Sequence, residues 1–168
     1  MNSSNTHNEK TQMDDSRIIF LDVDGVLNDK KTTGRSPHGF IGINGSMLRH
    51  LADLVWRTGA KIILTSTWKS EWTPSGEIGL DGRYLIKRLK SVGIEIADRT
   101  VDRIHDRGAG IRRYLDAHPE IKSWVVLDDD VFSDYQDCGI MDHLVQTSFD
   151  SGGLTEELAE RAFHILTD

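Results

Sequence analysis

FLDVDGVLN, residues 20–28, carries both the fold and the chemistry of this chain. With the residues before it, it completes RIIFLDV, residues 17–23, an apolar run too short for a helix and bounded by polar residues. Such a run suits a strand buried on both faces, as in a parallel sheet. Asp22 and Asp24 close it. In an extended segment residues two apart point the same way, roughly 6.5–7 Å apart. One carboxylate is then placed to attack while the other delivers a proton. Gly25 frees the backbone to turn sharply after them.

Working outward, strands and helices alternate. Asn44 caps a helix in which Met47, Leu48, Leu51, Leu54 and Val55 recur at helical spacing, and Gly59 stands where its C-terminal glycine belongs. KIILTS, residues 61–66, is a second buried strand. Residues 84–92 are expected as a helix ended by Gly93, 94–97 as a short strand, and 109–117 as a helix stopped before Pro119. SWVVL, residues 123–127, is another buried strand, running directly into Asp128, Asp129 and Asp130. A short strand at 144–147 and a helix at 154–166, with Thr155 as its cap, close the chain. The pattern predicts one α/β domain over residues 17–168, a three-layer Rossmann-like arrangement around a parallel sheet. Residues 1–16 are polar and expected as a disordered tail.

Composition narrows the function classes. A net charge of −7 argues against a dedicated duplex binder, which would carry a basic footprint. No run approaches the roughly 18 apolar residues a membrane helix needs, and residues 1–15 lack the apolar middle of a signal peptide. The single cysteine, Cys138, forms no internal disulfide and is expected to be structural. Together these point to a cytoplasmic protein with no membrane partner.

In doubly wound sheets ligands bind outside the carboxyl ends of the strands, where this sequence concentrates its acids. Asp is also a common turn former, so either pair alone is weak. Asp22 and Asp24 at one buried strand end, with Asp128 and Asp129 at another, are harder to assign to turns. Converging carboxylates resist joint ionisation without a cation. Magnesium, a hard ion with oxygen ligands, suits a site that also holds phosphate oxygens.

These segments resemble the motifs of the haloacid-dehalogenase (HAD) superfamily. FLDVDGVLN is similar to the first motif, IILTST at residues 62–67 to the second, and WVVLDDD at residues 124–130 to the fourth. STWK and the later GLT resemble a subgroup described as Swiss Army Knife RNA-repair-like domains. The resemblance implies a phosphatase working through an aspartyl-phosphate, with Asp22 as nucleophile and Asp24 as general acid and base. Magnesium would be held by Asp22, Asp24 through its carbonyl, Asp128 and Asp129. Thr65, with Ser66 as the neighbouring candidate, would bind phosphate oxygens. The cation of the third motif is expected among Arg107, Arg103 and Lys69, with Arg107 favoured by its place before the helix that leads to Asp128.

The two loops where relatives carry a cap, residues 28–42 and 68–83, are short, so a minimal cap or none is expected. An open site admits bulky phosphorylated partners, such as a nucleotide or a nucleic-acid end. Lys30, Lys31, Arg35 and His38 are expected to form a basic edge. Trp68 and Trp72 are candidates either for stacking on a base or for packing under a loop. A receiver-like phosphoacceptor or a non-catalytic binding domain of the same fold is the alternative. The receiver reading is disfavoured because its acidic cluster belongs at the first strand.

Overall fold

The computed structural model describes residues 13–103 and 105–168. A five-stranded, wholly parallel sheet forms its centre: β1 (Asp14–Leu21), β2 (Ala60–Leu64), β3 (Ile96–Arg99), β4 (Ser123–Asp128) and β5 (Leu144–Gln146), in the order β3-β2-β1-β4-β5. The helices are α1 (Gly45–Thr58), α2 (Leu80–Lys90), α3 (Arg107–Ala117) and α4 (Glu156–Thr167). This is the expected three-layer α/β architecture.

The layers follow from the period of two along β1. Ile19 and Leu21 face a core built with Leu48, Leu51, Leu54 and Val55 of α1, Leu85 and Leu89 of α2, and Ala162 and Leu166 of α4. Ile18 and Phe20 face the other side, where Ile111 of α3, Val126 and Tyr135 close the second core. Both faces of β1 are therefore buried, which explains its unbroken apolar run.

Several element boundaries differ from expectation. β1 begins at Asp14 rather than at residue 17, so residues 14–16 of the expected tail belong to the sheet. Residues 1–12 lie outside the described residues. α2 starts at Leu80, four residues before the expected 84, because Asp81 and Gly82 look loop-like yet fit its first turn. α3 starts at Arg107 rather than at 109; neighbouring Asp106 makes no side-chain cap, and Asp134 accepts from Gly108 N at 3.1 Å and Ala109 N at 2.8 Å instead. β3 occupies Ile96–Arg99 rather than 94–97; it is a partly exposed edge strand with little apolar signal to locate it.

Each candidate cap loop is a small irregular hairpin. One is pinched by an antiparallel bridge between Arg35 and Ile41, the other by one between Trp72 and Ile78. They are tied together: the His38 ring Nδ1 lies 2.8 Å from Asp81 Oδ2, and Ile43 N donates to the Tyr84 hydroxyl at 3.0 Å. No helix among the described residues is long and apolar enough to cross a membrane.

Candidate active site

The parallel ladder continues one residue past several strands. Asp22 N donates to Leu127 O at 2.9 Å, Thr65 N to Leu21 O at 2.9 Å, and Thr100 N to Leu64 O at 3.0 Å. These bonds bring Thr65, Asp22 and Asp128 to the same level along the carboxyl edge. β2 and β3 lie on one side of β1, and β4 and β5 on the other. The crevice between β1 and β4 is therefore the point where the strand order reverses, the usual ligand position in such sheets.

Carboxylate oxygens of Asp22, Asp128 and Asp129 lie within 4.8 Å of one another. Asp22 and Asp128 are buried and Asp129 half-buried. Burial, reinforced by the Asp128 charge, pushes Asp22 up to about 7 although Arg107 pulls the other way. Burial and the neighbouring Asp128 and Asp130 charges push Asp129 up to about 6. A donor set of crowded carboxylates with raised pKa values fits a hard divalent cation, which would relieve the repulsion.

Arg107, at the start of α3, balances part of this charge. Its Nη1 lies 3.1 Å from Asp22 Oδ1 and 2.8 Å from Asp128 Oδ2, and its guanidinium sits 4.3 Å from the centre of the Phe132 ring. Burial alone would lower its pKa, but Asp22 and Asp128 outweigh this and raise it. The buried Tyr135 hydroxyl also donates to Asp128 Oδ2, at 2.7 Å, while Asp130 N donates to Oδ1 at 3.0 Å. Asp128 thus spends most of its acceptor capacity within the protein. It holds Arg107 beside Asp22.

The other candidates for the third motif are placed differently. Lys69 Nζ pairs with Asp102 and lies 3.2 Å from both Thr65 O and Thr100 Oγ1. Burial lowers its pKa, against the pull of Asp102. Arg103 is exposed on the loop before α3.

Asp24 is unlike Asp22. It is exposed, and its carboxylate accepts from Asn28 Nδ2 at 2.8 Å and Trp68 Nε1 at 3.0 Å. Trp68 is buried, so packing under the loop is its role, with an added hydrogen bond that sequence reasoning missed. Asn28 and Tyr135 were missed as well. Asn28 ends the FLDVDGVLN stretch four residues after Asp24, a local polar pairing that spacing offers; Tyr135 has no comparable signal. Gly25 has φ +76°, and a Cβ there would lie 2.1 Å from Asp129 Oδ2.

Thr65 Oγ1 is buried and makes no hydrogen bond among the described residues, whereas Ser66 Oγ accepts from Trp68 N at 3.3 Å. Among these residues Thr65 Oγ1 has no partner of either kind, and Ser66 Oγ keeps its proton for a further bond. The residues of the expected basic edge, Lys30, Lys31, Arg35 and His38, are all exposed, and three of them also have partners within the protein. Lys30 pairs with Asp150 at 3.2 Å, Arg35 donates to Thr32 O and Gly34 O, and His38 contacts Asp81.

The family described as the HAD domain in Swiss Army Knife RNA repair proteins matches residues 18–159, most of the described chain. The chain belongs to this family. Its HAD domain points to a phosphatase-type hydrolase, and an acidic cluster is present at the strand ends. No curated protein matches the chain. In HAD terms the first motif ends in the β1 loop, the second in the loop after β2, and the fourth at the end of β4.

Proposed function

We propose that this HAD domain is a magnesium-dependent phosphomonoesterase that acts through an aspartyl-phosphate on Asp22, on a nucleotide or a nucleic-acid terminal phosphate. The observation that carries the reading is the convergence of Asp22, Asp128 and Asp129 oxygens within 4.8 Å beside the Arg107 guanidinium. Asp22, Asp128 and Asp129, with the Asp24 carbonyl, would hold the magnesium ion. That ion would screen the negative charge of phosphate and nucleophile.

An Asp22 oxygen forms a bond to phosphorus as the ester P–O bond breaks, and Asp24 gives its proton to the departing alcohol oxygen. A water molecule then attacks phosphorus, Asp24 takes its proton, the Asp22–phosphorus bond breaks and inorganic phosphate leaves. The neutral donors Asn28 and Trp68 hold the Asp24 carboxylate in one orientation while leaving it open to solvent. The Thr65 hydroxyl is a donor for a phosphate oxygen. Arg107 lowers the cost of bringing a phosphate dianion to Asp22. Only small hairpins stand where a cap would be, which suits a bulky substrate, and the family description names RNA repair proteins.

Phosphate release from a generic aryl phosphate, with magnesium and with excess chelator, tests this. We expect release only with the ion, and a loss on the order of 10³-fold or more in Asp22→Asn. Activity that survives either change removes the proposal.

A further inference from the structure

Beside the acidic crevice, over the ends of β2 and β3, lies a groove of about 500 Å³ that begins at Thr65 and Arg107 and runs between Trp72, Pro74, Arg99 and Val101. Resting on the phosphatase reading, we propose that this groove is the leaving-group subsite and takes a planar aromatic group, the base of a nucleoside phosphate. Thr65 and Arg107 line the groove as well as the crevice, so an ester whose phosphorus sits at Asp22 lies at the mouth of the groove.

The walls select the chemistry of that portion. Val101 is 81 % exposed, an uncovered aliphatic side chain on the loop after β3. Trp72 is half-buried, and the Arg99 guanidinium lies 5.8 Å from the centre of its ring system. The guanidinium lies over the indole ring, and both groups are of the kind that stack on bases, which tolerates any base because each has a π-face. Lys69, the cation at the bottom of the groove, is already paired with Asp102. A bare sugar finds apolar walls in Trp72, Pro74 and Val101.

The test compares kcat/KM for adenosine 3′- or 5′-monophosphate, whichever is the better substrate, with that for the matching ribose phosphate, using the full chain with magnesium. We expect the base-bearing ester to be favoured by roughly tenfold or more, the scale of a single stacked base. Trp72→Phe should keep most of that ratio, and Trp72→Ala should bring it near one. Val101→Glu changes an exposed side chain, tolerates any packing demand of Trp72, and should lower the ratio by about threefold or more. A wild-type ratio near one, or variants that slow both esters equally, overturns the subsite. A phosphorylated dinucleotide that keeps the ratio assigns the base to a strand end, and one that loses it assigns it to a free nucleotide; either supports an aromatic occupant. If no ester is hydrolysed, the phosphatase reading fails. Equilibrium binding of the same pair to the Asp22→Asn protein then judges the groove separately: tighter binding of the base-bearing ester supports it, and equal binding overturns it.

Discussion

Two regions on the same sheet edge handle charge in opposite ways. Between β1 and β4, Asp22, Asp128 and Asp129 crowd together with one guanidinium among them. Beyond β2 and β3, Lys69 is matched by Asp102, and the surface ends in Trp72 and Val101. The first region sets three carboxylates against one guanidinium. The second pairs its lysine internally and presents Trp72 and Val101 with the Arg99 guanidinium. On the proposed reading, reaction and selectivity occupy adjacent ground that meets at Thr65 and Arg107.

The cations of the two regions, Arg107 and Lys69, offer the sharpest way to break this contrast. Arg107→Met should abolish most phosphate release, by on the order of 10³-fold, because two buried carboxylates lose their partner and phosphate loses its cation. Lys69→Met should cost less than about tenfold in the same assay, since its partner is Asp102 rather than Asp22. Equal losses would mean that the two regions act as one.

Stability against pH sharpens the contrast further. In the metal-free fold Asp22 keeps its proton up to about 7 and Asp129 up to about 6, whereas an ordinary aspartate releases it near 3.8. Across that window the folded state binds more protons than the unfolded state. The stabilisation is therefore complete at low pH and is lost as pH rises through the folded values. Thermal unfolding without metal should show a Tm that falls between about pH 4.5 and 7.5. Added magnesium should raise Tm by several degrees near pH 7.5 and by less near pH 5. A magnesium effect of the same size at both pH values would detach the ion from these carboxylates.

The smallest effect is expected at Trp68. Trp68→Phe removes the hydrogen bond to Asp24 but keeps much of the apolar bulk, so kcat should fall about fivefold, the worth of roughly 1 kcal/mol. No change would show that Asn28 alone orients Asp24.

What was legible in the sequence follows from burial. β1, β2 and β4 are apolar on both faces, so their runs could be read, and Asp22, Thr65 and Asp128 fall where those runs stop. Signals that depend on distant residues could not be read. The cap of α3 comes from Asp134, some 25 residues along the chain from Ala109, and two glycines in its first turn disguise the helix. The Tyr135 bond to Asp128 and the Trp68 bond to Asp24 depend on how loops fold back. Nor could the partners of the basic edge be read: Lys30 reaches Asp150 and His38 reaches Asp81, while Arg35 bonds within its own loop.

Gly25 sets the clearance of the whole centre. Only a hydrogen fits between its α-carbon and the Asp129 carboxylate, which a methyl group would meet at 2.1 Å. The Thr147 hydroxyl fastens the same residue from beyond the end of β5, donating to Gly25 O at 2.6 Å. The loop that follows Asp22 and the loop carrying Asp129 are thus gauged against each other like two jaws with a single spacer. A side chain at position 25 would therefore press on the Asp129 carboxylate directly.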